Sequence, residues 1–166
     1  MIKKLVSFDF DGTLIHTPTP EIGRLEWERV TGLSFQGRGW WGNAESLNTN
    51  VFYPPVNQWV YKYFLEYQSD PEAYTFIATG RLKRLEKQVL KVLALHDIKC
   101  DVFCNTGGET FNFKKYLFQD LIRQNPHATE LIMFDDRHEH LEKFVEWGKT
   151  QPIKVTVIDV INKKIM

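Results

Sequence analysis

Three short runs carry more acid and hydroxyl than a packed core requires: Asp9-Phe10-Asp11-Gly12-Thr13-Leu14, Thr79-Gly80-Arg81 and Asp135-Asp136-Arg137. Each follows a β-forming apolar run: Lys4-Leu5-Val6-Ser7-Phe8, Tyr74-Thr75-Phe76-Ile77-Ala78 and Leu131-Ile132-Met133-Phe134. In an open α/β sheet, ligands bind at the carboxyl ends of the strands, so these residues are read first as a site. Period-two alternation sends the side chains of Asp9 and Asp11 to one side, and Gly12 lets the chain turn sharply behind them. Gathered at neighbouring strand ends, Asp9, Asp11, Asp135 and Asp136 repel one another unless a cation sits among them. Hard oxygen donors in that number suit Mg²⁺. Carboxylates, a hard cation, a hydroxyl and a lysine are the equipment of phosphoryl transfer, where attacking and attacked groups are both anionic and need their charge screened. One such aspartate alone would serve as a helix cap. Three strand ends of this kind together point to a site.

The elements that must position these residues follow from periodicity. Strands are predicted at about 3–9, 74–79, 100–104, 130–135 and 154–160, alternating with segments of helical spacing. Leu82, Leu85, Val89, Val92 and Leu93 form one apolar stripe, Phe113, Leu117 and Leu121 another, and Leu141, Phe144 and Val145 a third, all read as core. The pattern predicts an α/β fold, a doubly wound, mainly parallel five-stranded Rossmann-like sheet, with residues 1–166 as a single domain. The stretch from about 15 to 72 breaks the rhythm with Thr17-Pro18-Thr19-Pro20, Gly37-Arg38-Gly39 and Tyr53-Pro54-Pro55. It reads as a small helical and loop insertion after the first strand, with helices at about 21–30 and 56–67 and an aperiodic Gly39-Trp40-Trp41-Gly42. Between Thr79 and Lys114 a helix and a strand use most of the chain, so this insertion is the one candidate for a cap, and a modest one.

The chain of 166 residues has 21 Lys+Arg and 21 Asp+Glu, which excludes a polycationic nucleic-acid coat and an acidic tail. No apolar run approaches the roughly 18 residues of a membrane span. Asp9 and Asp11 interrupt the opening apolar stretch too early for a signal peptide, so the expectation is a soluble intracellular protein, cytoplasmic or nuclear. Cys100 and Cys104 lie along one strand about 13 Å apart, beyond the roughly 7 Å that a disulfide tolerates, and are read as reduced. The five His residues show no metal-ligand spacing.

These runs resemble the four motifs of the haloacid dehalogenase (HAD) superfamily, in order: Asp9-x-Asp11-Gly-Thr-Leu, Thr79-Gly-Arg, a lysine at Lys114 or Lys115, and Asp135-Asp136. Thr110-Phe111-Asn112-Phe113-Lys114 is similar to a more particular Thr-x-x-Phe-Lys pattern, which selects Lys114. It belongs to the HAD domain of Swiss Army Knife RNA repair proteins, which Trp40-Trp41 and Asp135-Asp136-Arg137-x-Glu139-His140-x-x-x-Phe144 also resemble. The resemblance implies an aspartyl-phosphate mechanism with Asp9 as nucleophile and Asp11 as general acid and base. It implies phosphoryl binding by Thr79, Gly80 and Lys114, and Mg²⁺ held by the Asp9 carboxylate, the Asp11 main-chain carbonyl, Asp135 and Asp136. It further implies a phosphorylated RNA or DNA end as substrate, with any RNA ligase or kinase a separate partner.

Around this set stand residues with two readings each. Trp40 and Trp41 either pack the insertion onto the core or stack on a base. His140 either orients Asp136 or caps its turn. Arg81, Lys83, Arg84, Lys87 and Lys91 crowd the helix expected after Thr79, where cations in a first turn oppose the helix dipole, so Arg81, Arg84 and Lys87 are candidate substrate contacts. Two rivals stand beside the RNA-end phosphatase: a phosphatase of nucleotides or sugar phosphates, and a binding module that keeps the fold without turnover.

Overall fold

The computed structural model describes residues 1–166. The first strand, β1 (Lys4–Phe8), is followed by α1 (Pro20–Thr31) and α2 (Gln58–Gln68), which lie in the insertion. Then come β2 (Ala73–Leu82), α3 (Glu86–Ala94), β3 (Asp101–Asn105), α4 (Thr110–Gln124), β4 (Glu130–Asp135), α5 (His138–Gly148), β5 (Lys154–Asp159) and β6 (Lys164–Ile165). The sheet has the order β3-β2-β1-β4-β5-β6, parallel throughout except for β6, which runs antiparallel to β5. The sixth strand, of two residues, corrects the expectation of five. It is too short to leave any periodic trace.

Strand alternation divides the core into two layers. Val6, Phe8, Ile77, Ile132 and Phe134 point to one face and pack with Val60 and Phe64 of α2 and Val89, Val92 and Leu93 of α3. Leu5, Phe76, Leu131 and Met133 point to the other, against Phe118 and Leu121 of α4 and Leu141, Phe144 and Trp147 of α5. Burial on both faces is why these strands read as nearly continuous apolar runs. Phe8 stacks on Phe134 at 4.5 Å between ring centres, joining β1 to β4 just below the site. The chain order reverses there: β2 and β3 lie on one side of β1, and β4 and β5 on the other, the geometry that opens a crevice at the strand ends.

Two expectations shift by a few residues, with consequences for the site. The buried face of α4 is Lys114, Phe118, Leu121 and Ile122, rotated from the Phe113–Leu117 stripe, both of which are half-buried. A polar side chain takes a core position because its partners wait beneath it. The second change is at β2, which runs on past Thr79 to Leu82 with a break in its register against β3. Helix α3 starts only at Glu86, after a short 3₁₀ turn at Lys83–Leu85. Arg81 therefore belongs to a strand and Arg84 to a tight turn, so the helix-dipole argument does not reach them.

Candidate active site

Backbone pairing extends one position past β1: the Asp9 N–H donates to the Phe134 carbonyl at 3.0 Å, which carries the Asp9 carboxylate to the sheet edge beside β4. The chain then turns through Gly12, whose φ of +71° favours glycine. A Cβ there would lie 2.3 Å from Asp136 Oδ2, so glycine is also what lets this turn approach the β4 end. The hydroxyl of Thr13 closes the turn, 3.1 Å from Asp9 Oδ2 and 3.4 Å from Asp136 Oδ1.

Lys114 rises from α4 into this group. Its Nζ donates to Asp9 Oδ1 at 3.0 Å and to Asp135 Oδ2 at 2.8 Å, and only 2% of the side chain is exposed. Lys115, the other candidate, is half-buried with its ammonium over the rings of Phe111 and Tyr116. Burial alone would pull the Lys114 ammonium down, but the Asp135 and Asp9 carboxylates hold it above its ordinary value. Burial pushes the Asp9 carboxyl well above the usual range, Lys114 opposing and Asp135, Asp136 and Asp11 adding to the rise. Asp136 is raised by burial and by the charge of Asp135. Asp135, despite its burial, is held below the ordinary value by Lys114.

Carboxylate oxygens of Asp9, Asp135 and Asp136 lie within 4.8 Å of one another. With one lysine among two buried acids and a third that is half-buried, this donor set fits a hard divalent cation such as Mg²⁺. The side chain of Asp11 stands outside the trio, which corrects the expectation that all four carboxylates crowd together. β1 has ended by Phe8, so the strand alternation expected to set Asp9 and Asp11 side by side no longer holds at Asp11. Arg81 takes Asp11 instead, through Nε to Oδ2 at 2.9 Å and Nη2 to Oδ1 at 2.7 Å, while the Thr17 hydroxyl donates to Oδ1 at 2.6 Å.

These groups surround a cleft of about 500 Å³ lined by Asp9, Asp11, Trp41, Gly80, Thr110 and Lys114, among others. Thr79 lies beneath it, wholly buried, its hydroxyl accepting the Arg81 N–H. Trp40 is no stacking platform: it is 2% exposed, its ring lies against α1 where a Cβ at Gly23 would collide with it, and its Nε1–H donates to the Pro18 carbonyl. Trp41 is 43% exposed, lines the cleft and packs against the Arg81 guanidinium. Arg84 is exposed and donates to the Gly42 carbonyl, and Lys87 is exposed on α3 beyond the cleft lining. His140 is buried, shares no hydrogen bond with Asp136 and leaves Nδ1 unpartnered, and burial lowers its pKa. Thr13, Thr17, Ser46 and Thr110 received no role from the sequence, although Thr13 and Thr110 each lay inside a motif.

The sequence profile of HAD domain family 1 in Swiss Army Knife RNA repair proteins matches residues 30–165. The chain belongs to this HAD family. The match takes in Thr79, Lys114, Asp135 and Asp136, whereas Asp9 to Leu14 precede it and stand on the geometry above. A chain in the solved "Structure of Pnkp1/Rnl/Hen1 complex" is similar at a TM-score of 0.61 and 17% identity, over 95% of this HAD chain and 46% of that one. The "Structure of the Pnkp1/Rnl/Hen1 RNA repair complex" gives the same score and identity over 95% and 43%. At such identity the likeness is one of fold, and this chain spans less than half the length of those it matches. The HAD domain of effector protein Lem4 from Legionella pneumophila, an inactive mutant, gives 0.49 at 15% identity over 96% and 87%. No curated protein matches the sequence. No helix of this HAD domain is long and apolar enough to cross a membrane.

Proposed function

We propose that this HAD chain is a Mg²⁺-dependent phosphatase working through an aspartyl-phosphate on Asp9, with phosphorylated RNA or DNA ends as its substrates. The observation that carries the reading is Asp9 itself: a buried carboxylate facing a cleft, with Lys114 on one oxygen and Thr13 on the other. An Asp9 oxygen attacks phosphorus, the bond to the ester oxygen breaks, and Asp11 gives that oxygen its proton. Water then attacks the phosphorus of the acyl phosphate, Asp11 takes a proton from the water, and phosphate leaves with Asp9 restored. Lys114 offsets charge on Asp9 and on the phosphoryl oxygens, while Thr79 and Gly80 supply donors at the end of β2. Mg²⁺, held by Asp9, Asp135, Asp136 and the Asp11 carbonyl, would screen the phosphate from its attacker. A pure binding module has no use for both a nucleophile and a separate acid.

For the substrate, the support is membership in a family of RNA repair proteins together with a partial cover. Residues 1–166 act in this reading as one phosphatase domain, with the segment from 15 to 72 as a cap that leaves Trp41 half in solvent. Such a cleft admits a polymer end, and a separate ligase or kinase would process the ends beside it. A phosphate-release panel tests this, comparing mononucleotides with oligonucleotides phosphorylated at each end, with and without Mg²⁺. The oligonucleotides are expected to have the higher kcat/KM, and Asp9→Asn is expected to lower every rate more than about a thousandfold. Near-normal release by Asp9→Asn would refute the mechanism, and preference for mononucleotides or sugar phosphates would leave a phosphatase without the RNA-end substrate.

A further inference from the structure

Arg81 is spent before any substrate arrives. A guanidinium has five N–H donors, and four are taken here: Nε and one on Nη2 by Asp11, and both on Nη1 by the Trp41 carbonyl at 2.7 Å and Ser46 Oγ at 2.6 Å. The group also lies 5.0 Å from the centre of the Trp41 ring. Its side chain is 2% exposed, while that of Asp11 is 19% exposed and lines the cleft. The cation is therefore the fixed inner member of the pair and the carboxylate the outer, working member.

A need to fasten the insertion does not account for this arrangement. Buried ion pairs contribute weakly to stability, because desolvation offsets their attraction, and apolar residues of the same volume often hold as well. What a bidentate Arg–carboxylate pair does supply is geometry: two parallel hydrogen bonds fix the carboxylate plane, and the Thr17 hydroxyl adds a third. A general acid needs this, since a displacement of an ångström from the leaving oxygen costs orders of magnitude in rate.

We propose that Arg81 is a positioning residue for proton transfer: braced by Trp41 and Ser46 of the insertion, it holds the Asp11 carboxylate at the cleft. The insertion thereby belongs to the proton-transfer machinery as well as to the cover. The proposal rests on the role of Asp11 given above.

The test is a series of aryl phosphates running from nitrophenyl to phenyl phosphate, with kcat/KM read for each because it reports the step in which the ester oxygen departs. Help from an acid matters little when that oxygen leaves easily and greatly when it does not. Arg81→Gln is expected to lose less than about tenfold on nitrophenyl phosphate and more than about a hundredfold on phenyl phosphate, steepening the dependence on the leaving group. Arg81→Lys, which keeps a cation but not the two parallel bonds, is expected to fall between wild type and Arg81→Gln. It carries the test alone if Arg81→Gln shows no cooperative melting transition. An equal loss across the series, or none, in whichever variant folds would overturn the assignment while leaving the phosphatase in place. No release by the wild-type protein from any member would overturn the phosphatase reading and this one with it.

Discussion

Two buried cations flank the loop from Asp9 to Gly12, and they arrive from opposite faces of the sheet. Lys114 comes from α4, and both its carboxylate partners sit at the carboxyl ends of central strands, so that pair belongs wholly to the sheet framework. Arg81 comes from the irregular end of β2, and apart from Asp11 its partners are Trp41 and Ser46 of the insertion, which packs through Leu47 and Val60 on the face shared with α2 and α3. In the proposed mechanism the nucleophile side is thus held by the central sheet, while the acid side depends on the insertion. On that proposal a change in the insertion would retune proton transfer and substrate fit together and leave Asp9 where it is.

The comparison breaks most sharply at Lys114. Lys114→Met leaves Asp9 and Asp135 buried without their cation, an arrangement that costs about 3–5 kcal/mol. The expected outcome is a clear fall in urea midpoint and a loss of phosphate release on the order of a thousandfold, equal for good and poor leaving groups. A loss confined to poor leaving groups would merge the two sides into one and undo the distinction.

Metal binding sharpens it next. Asp9 and Asp136 are raised above the ordinary carboxylate value of about 3.9, so the folded chain binds more protons there than the unfolded one does. These two groups lower stability as pH rises from that value through their folded values, and a cation that replaces the protons restores it. The Mg²⁺-induced rise in Tm is therefore expected to be larger at about pH 8 than at about pH 5, and to be nearly absent in Asp135→Ala. A Mg²⁺ shift that shrinks with rising pH would argue against a carboxylate site. Asp11, already paired with Arg81, is expected to contribute little, so Asp11→Asn keeps most of the shift.

The insertion side separates by tryptophan. Trp40 is buried against α1, Phe35 and Phe52, and Trp40→Ala is expected to cost about 3–5 kcal/mol. Trp41→Ala removes an exposed ring and is expected to leave the urea midpoint nearly unchanged while reducing oligonucleotide turnover several-fold. Equal destabilisation by the two would mean that the whole Trp pair serves packing.

What the sequence disclosed follows the same division. The strand ends at Asp9, Thr79 and Asp135 were legible because each closes an apolar β-forming run, whereas Lys114 was legible only through the Thr-x-x-Phe-Lys resemblance, since the helical stripe read for α4 passed through Phe113 and Leu117 instead. The Arg81 clamp was not. A register break after Thr79 moves Arg81 from an expected helix to a strand, and nothing local encodes the break. Its partners at Ser46 and Trp41 lie 35 and 40 positions away in an aperiodic loop. Packing was one reading of the Trp pair, but which tryptophan packs was equally illegible, because the burial of Trp40 depends on Gly23 leaving room on a helix that shows no buried apolar stripe of its own.

The smallest expected effect concerns Arg84 and Lys87. Arg84 bonds the Gly42 carbonyl at the cleft mouth, and Lys87 stands one helical turn further on, exposed. Neither reaches the carboxylate trio or Asp11, so neither serves the chemistry of a small ester. A strand whose terminal phosphate occupies the cleft carries further phosphates outward, and exposed cations near its path attract them through a field that salt screens within about 10 Å at 0.1 M. Reversing both to Glu changes the local charge by four units without disturbing a buried group. The expected result is a several-fold lower kcat/KM for an end-phosphorylated oligonucleotide at low salt, and a difference that disappears as salt is raised. Nitrophenyl phosphate is expected to change by less than about twofold, since its single phosphate sits where Lys114 and the carboxylates already set the field. If the oligonucleotide rate is indifferent to the reversal at every salt concentration, the strand leaves the cleft in another direction, and Arg137, which lines the opposite wall, becomes the residue to reverse.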